Sequence, residues 1–353
     1  MNKQLKSNLI TYGIIIVFFA IMQILVGTGN LSSLFKGLLV PICVYTIMAV
    51  SLNLTVGILG ELSLGHAGFM CVGAFVSAFF SMCLKGSGMN SIVRFIIAIC
   101  LGAIVAAVFG ILIGIPVLRL RGDYLAIVTL AFGEIIKNIV NVLYVGRDSR
   151  GLHISFTDTA SLGLAEDGEV IIKGPQGITG TPNDSTFLIG IIILIITVFI
   201  VTNFVTSRSG RAVMAIRDNR IAAESVGINI SKYKLMAFAI SAGLAGAAGA
   251  LYAHNLNTLN ALPKNFGYNM SIMILVYVVL GGIGSIRGSI IAATILTALP
   301  ELLRGFSDYR MLIYSVVLIA LMLISNSPKA KVFFEKYSIK RFIGNKKSQK
   351  EEV

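Results

Sequence analysis

The chain has 353 residues, of which 56% are hydrophobic and only 13% charged. Soluble domains carry about 25% charged residues, so an ordinary soluble protein is excluded, and recurrent apolar runs of roughly 20 residues indicate a polytopic membrane protein. The net charge of +13 does not imply nucleic acid: the cations flank apolar spans, as cytoplasmic loops do, and no nucleic-acid recognition motif is present.

Ten membrane segments are predicted, at about 9–27, 35–57, 67–84, 92–115, 124–144, 186–206, 235–254, 269–284, 288–303 and 311–326. The first follows Lys3 and Lys6 and mimics a signal peptide. Its apolar run is too long for a typical h-region, and Gly27-Thr28-Gly29-Asn30 is a poor cleavage site, so it reads as a retained span. The second runs into VGILGELSLGHAGF (56–69), where Gly57, Gly60, Gly65 and Gly68 weaken a helix and Glu61, Ser63 and His66 are polar. Irregular backbone at membrane depth survives only where protein or a water-filled cavity covers it. The stretch is either a tight cytoplasmic turn or part of a transport pathway.

Cys43, Cys71, Cys83 and Cys100 lie in or beside apolar runs without a Cys-x-x-Cys pair and read as small hydrophobes. His66, His153 and His254 show no metal-ligand spacing. In the fifth segment, Arg119, Arg121 and Asp123 mark the cytoplasmic start. Glu134 and Lys137 lie deeper and can pair on one helix face, as an internal ion pair or as pathway residues.

The loop at 146–185 is acidic, with Asp148, Asp158, Glu166, Asp167, Glu169 and Asp184 against Arg147, Arg150 and Lys173, and it ends in the turn-rich GPQGITGTPNDST. It is expected on the extracytoplasmic side, as a solvated loop or as a docking lip. The next loop, 207–234, carries Arg208, Arg211, Arg217, Arg220, Lys232 and Lys234 and is expected in the cytoplasm. Asp218 and Asn219 can cap a short helix, Gly227 suits the left-handed residue that closes it, and Ser231 can cap the next. Ala222, Ala223 and Glu224 are expected on its exposed face, suited to a groove on a soluble partner.

The seventh segment contains AISAGLAGAAGALYA (239–253). Ala239, Gly243 and Ala247 repeat every fourth residue, as do Ala242, Gly246 and Ala250, so two faces can approach neighbouring helices closely. A second glycine-rich break, LGGIGSIRGS (280–289), separates two short apolar runs. From Pro328 the tail is basic. An even number of spans puts both termini and the 207–234 loop on the cytoplasmic face. The domain organisation is then 1–327 as a transmembrane domain and 328–353 as a basic cytoplasmic tail.

AIRDNRIAAESVGIN (215–229) resembles the coupling loop of ABC importer permeases. SLNLTVGILGELSLGHAGF, LRLRGDYLAIVTLAFGEI, GPQGITG, YKLMAFAISAGLAGAAGALYA and VVLGGIGSIRGSIIAA are similar, in that order, to the branched-chain amino acid permease family of LivM type. Asp123 departs from the neutral residue many members carry, and the loop at 150–173 is this chain's own. The resemblance implies an all-α helix bundle with the ABC importer permease fold. It implies a subunit forming half of the pathway for leucine, isoleucine and valine in the cell membrane. Its partners would be a second related permease, two cytoplasmic ATPase subunits and an extracytoplasmic binding protein.

On that resemblance the chain is no enzyme and binds no cofactor. ATP and Mg²⁺ belong to the partner subunits, since a Gly-x-x-x-x-Gly-Lys-Ser/Thr loop is lacking. The resemblance implies that Asp218, Asn219, Ala222, Ala223, Glu224 and Gly227 couple to the ATPases. Pathway candidates are Gly60, Ser63, Gly65, His66, Glu134, Gly281 and Gly282. Another small solute, such as urea or a different amino acid, is the alternative cargo. A secondary transporter is the alternative class, with Glu134 and Lys137 as its obvious coupling groups.

Overall fold

Helix boundaries follow the local signals of the sequence in the computed structural model, which describes residues 3–28, 33–85, 88–120, 122–165, 168–304 and 309–326. Arg121, Glu166, Asp167 and the basic tail from Pro328 lie outside the described residues. The helices are α1 (Lys3–Gly27), α2 (Ser33–Asn53), α3 (His66–Cys83), α4 (Ser91–Val117), α5 (Asp123–Val142), α6 (Phe187–Thr206), α7 (Arg208–Asp218) and α8 (Arg220–Ser225). They continue with α9 (Ile230–Ala253), α10 (Pro263–Phe266), α11 (Tyr268–Gly281), α12 (Ile286–Leu302) and α13 (Arg310–Asn326). Side-chain caps set several starts: Asn90 accepts from Ile92 N at 3.0 Å and Thr186 from Ile189 N at 3.4 Å.

By length and composition, six helices can cross a membrane: Phe35–Leu59, which runs α2 on into the following turn, and α3, α4, α5, α6 and α9. α1, α11, α12 and α13 coincide with the other four expected segments. α11 has 14 residues and α12 has 17. At 1.5 Å per residue, 14 residues reach about 21 Å, short of a hydrocarbon core of about 30 Å.

α9 packs against α2, α3 and α4, and its small residues explain how. A Cβ on Gly246 would lie 2.7 Å from Gly102 O of α4, and one on Gly110 would lie 2.6 Å from Ala242 Cβ. A Cβ on Gly243, of the other repeat, would lie 3.2 Å from Ala107 Cβ of α4, and one on Gly249, of neither repeat, 2.9 Å from Ala74 N of α3. Both small-residue faces expected from the sequence are therefore in close helix contact. Lipid supplies no hydrophobic drive between helices, so close packing must hold them together.

The expectation of an all-α chain is corrected by the segment after α5. It forms an antiparallel sheet in the order β2-β1-β3, with β1 (Tyr144–Asp148), β2 (Gly151–Ser155) and β3 (Glu169–Lys173). β4 (Ile178–Thr179) pairs with β5 (Thr258–Leu259). The Asp148↔Gly151 pairing leaves Ser149-Arg150 as a two-residue turn. The Asp148 carboxylate closes it by accepting from Arg150 N at 2.8 Å and Gly151 N at 3.1 Å. Asp148, only one acid among several in the sequence of this loop, is thus the organiser of a hairpin.

The chain divides into two compact units, Met1–Thr297 and Ala298–Val353. The first holds the helices and sheets just described up to the middle of α12. The second holds the end of α12, where Arg304 pairs with Glu301 at 2.9 Å, and α13.

Candidate functional site at the interrupted helices

α2 does not end at a turn. It widens into a π-helical turn, Leu54–Leu59, closed by Gly60 at φ +80°. That left-handed geometry favours glycine because a Cβ would crowd the backbone. The chain then runs without helix through Glu61, Leu62 and Ser63 until α3 starts at His66.

The polar groups released by this break are gathered inside the bundle. Ser51 Oγ lies 2.7 Å from His66 Nε2. Thr55 Oγ1 donates to Ser241 Oγ of α9 at 2.9 Å, and Ser241 Oγ donates to Ser51 O at 2.6 Å. Ser51, Thr55, Ser241 and His66 are all buried. Such groups are tolerated at this depth because each is partnered.

Asn53 joins this break to the second one. Its Oδ1 accepts from Gly284 N at 2.8 Å, and its Nδ2 donates to Ser289 Oγ at 3.1 Å. Gly57 allows the approach, since a Cβ there would fall 2.7 Å from Gly284 Cα. Gly281 ends α11, and Gly282 and Gly284 take φ of +93° and +82° before α12. The two glycine-rich breaks, distant in sequence, are therefore in contact.

A third element reaches the same place. Arg217, at the end of α7, donates from Nη1 to Gly57 O at 2.9 Å. Its Nε and Nη2 donate to Asp218 Oδ1 at 3.1 and 3.0 Å, which orients the guanidinium. The carbonyls that end a helical turn lack N–H partners and carry partial negative charge, so a cation is favoured there. A Cβ on Gly60 would lie 2.6 Å from Arg217 Cγ, so this glycine also makes room for the arginine stem. Next to it, Lys234 Nζ of α9 pairs with Glu61 Oε1, with both side chains largely buried.

α8 is held outside this cluster. Asn219 Oδ1 accepts from Ala222 N at 3.0 Å, Gly227 has φ +84°, and Ile228 N donates back to Ala223 O at 3.1 Å. Two expectations are corrected here. Ala223 is buried against Ile216 and Ile230, because a six-residue helix must seat one face on its neighbours. The cap of α9 is Asn229, accepting from Lys232 N at 3.0 Å, and not Ser231. Ala222 and Glu224 are exposed, as are two apolar side chains absent from the sequence-based candidates: Ile221 at 80% and Val226 at 74%.

The remaining sequence candidates lie around the break. Ser63 Oγ is buried without a hydrogen-bond partner. Gly65 lies against α5: a Cβ there would sit 2.8 Å from Thr129 C, and Leu64 N donates to Thr129 Oγ1 at 3.0 Å. Glu134 is engaged elsewhere. It pairs with Lys137, and its Oε1 accepts from Tyr268 N at the start of α11, 2.8 Å away. Ser51, Asn53, Thr55, Ser241 and Ser289 were not among the candidates. Single hydroxyls and one amide in apolar runs carry no signal until their partners are known.

A family described as branched-chain amino acid transport system, permease component, matches residues 33–325. The chain is 35% identical over 289 residues to the high-affinity branched-chain amino acid transport system permease protein LivM of Salmonella typhimurium, covering 79% of this chain and 66% of that protein. It is 26% identical over 287 residues to LivH of Escherichia coli K12, covering 79% and 89% of the two chains. It is 27% identical over 293 residues to the ribose import permease protein RbsC of the same strain, covering 80% and 82%. No solved structure matches the chain. It thus spans just under two thirds of the length of the LivM relatives it matches. With most of its length matched, the chain belongs to the family of branched-chain amino acid transport system permease components.

Proposed function

We propose that the chain is the permease subunit of an ATP-driven importer and forms half of a pathway for leucine, isoleucine and valine. The observation that carries this reading is α8. It is a capped helix seated on Ala223, with Ile221, Ala222, Glu224 and Val226 presented outward. Ile221 and Val226 are the most exposed large apolar side chains among the described residues, and a partner's groove would bury them together. A short helix with an apolar and acidic face suits a groove on a soluble protein. The roles assigned to Asp218, Asn219, Ala222, Ala223, Glu224 and Gly227 follow: caps and seat hold the helix, and the outward residues meet the partner.

In this reading the partners are two cytoplasmic ATPase subunits, a second related permease and an extracytoplasmic binding protein. ATP and Mg²⁺ bind on the ATPases, and this chain performs no chemistry. About ten spans, with both termini and the 207–234 loop in the cytoplasm, agree with the placement of the basic loops. Residues 1–327 would form the membrane domain and 328–353 the basic cytoplasmic tail. The pathway would follow the partnered breaks, at Gly60, Ser63, Gly65, His66, Gly281 and Gly282. Glu134 would act near the sheet end. The LivM names support the cargo, whereas the likeness to a ribose permease keeps other small solutes as the second reading.

The test is purification of the tagged chain from its native membrane with Ile221→Asp and Val226→Asp beside the unaltered protein. Two ATPase subunits should accompany the unaltered chain and be lost from the variants. Their retention in both variants, or their absence throughout, defeats the reading. Uptake of labelled leucine against labelled sugars then decides the cargo.

A further inference from the structure

The break in α2, the Gly281–Gly288 turn and the α7–α9 loop meet at Gly57. Its carbonyl accepts Arg217 Nη1, and its bare Cα faces Gly284. The π-helical turn is therefore held on one side by a cytoplasm-type loop and on the other by the second break, through Asn53. π-helical turns differ from α-helical ones by one residue of hydrogen-bond register and cluster at functional sites. A turn with two available registers is the kind of discrete element through which two distant places can be coupled.

We propose that Arg217, oriented by Asp218 and backed by the Lys234–Glu61 pair, is a positioning residue. It fixes the register of the 54–60 turn and so carries movement of α8 to both helix breaks. The inference rests on the proposed transport role, and it adds the residue through which the loop acts. In this role Arg217 acts through the turn and not by contact with cargo or ATPase. It lies at the end of α7, partly exposed, with its guanidinium divided between its own loop and the helix end. Movement of α7 by a few ångströms removes the Gly57 contact and leaves the carbonyl without its cation. The Arg217 stem over Gly60 makes the contact directional, because the same movement either opens or crowds the left-handed residue that closes the turn.

The test uses the assembled transporter in proteoliposomes, with ATP hydrolysis and uptake measured together, and Arg217→Ala, Arg217→Lys and Lys232→Ala as variants. Lys232 is an exposed cation of the same loop. The expected result for Arg217→Ala is full retention of the partner subunits and of basal hydrolysis, with about tenfold less solute moved per ATP. That loss is the scale of one charge-assisted hydrogen bond. Arg217→Lys should recover part of the ratio, since it keeps the cation at the helix end, and Lys232→Ala should leave it unchanged. An unchanged ratio in Arg217→Ala, or an equal loss in Lys232→Ala, overturns the proposal.

A second measurement needs no partner. Amide hydrogen exchange at Ile58–Glu61 in the detergent-solubilised chain should speed about tenfold in Arg217→Ala, with residues 220–226 unaffected. Unchanged exchange overturns the latch even if the transport reading stands. Faster exchange in a chain that recruits no ATPase keeps the latch and removes the reading it was attached to.

Discussion

At the α7–α8 end, Arg217 and Lys234 reach out of their own loop to the end of a broken helix, at Gly57 and Glu61. At the sheet end, Asp148 collects its partners from within its own hairpin and the nearby Ala165: Arg150, Gly151, His153 and Ala165 N. The Lys234–Glu61 pair and the Asp148 carboxylate are shielded from water, whereas Arg217 and Arg150 stay partly exposed. The first group of contacts joins elements distant in sequence, so displacing one strains or breaks its contact with the other. The second closes on itself and gives the sheet a fixed shape. Polar contacts of equal quality can thus transmit or isolate, depending on what they connect.

The largest effect is expected from Glu61→Gln, which leaves the buried Lys234 ammonium without a counter-charge. Removing one partner of a buried pair costs about 3–5 kcal/mol. Thermal unfolding in detergent should show the loss, and Glu61→Gln with Lys234→Met should recover much of it. Should the single variant be neutral, the pair is no joint and the contrast between the ends fails.

Gly246→Val sits between the two ends. Its side chain must displace α4 backbone at Gly102 and Ala103. Overpacking costs about 1–3 kcal/mol, and both ends should lose stability together. Loosening of only one end, read by hydrogen exchange, would show that α9 does not unite them.

Asp148 sharpens the contrast by pH. Burial raises its carboxyl, but hydrogen bonds from Ala165 N, Arg150 and His153 outweigh this and hold it well below the usual carboxylate range. A depressed folded value gives stability that is complete above the unfolded value of about 3.9 and is lost as pH falls from there toward the folded value. Exchange protection of residues 144–173 should therefore stay constant from neutral pH down to about 4 and decline below it. Asp148→Asn should lower protection at every pH while leaving residues 54–61 untouched. Linked loss in both places would contradict the isolation of the sheet end.

The smallest effect is Asn219→Ala. Losing a helix cap costs about 1 kcal/mol. Exchange should rise in residues 220–226 and not at Ile58–Glu61, because Arg217 holds its contact from α7. A rise at both would place the cap inside the joint.

What the sequence could show was local. Apolar runs marked the helices, the every-fourth-residue pattern from Ala239 to Ala250 marked a close-packing helix, and Gly227 marked the left-handed close of α8. The Glu134–Lys137 pair was also legible, being three residues apart on one helix. The motifs in order carried the family.

The three-dimensional structure alone decided which distant groups meet. Nothing in residues 54–60 announces that Gly57 faces Gly284 and Arg217, or that Lys234, one cation among six in its loop, is buried on Glu61. Ala223 and Ala222 are alike in sequence, yet one is seated and the other bare. Helix periodicity and capping depend on neighbours within a turn, so sequence reports them. Pairing across the fold depends on which backbones come close, and here absent side chains at Gly57, Gly60 and Gly246 determine that.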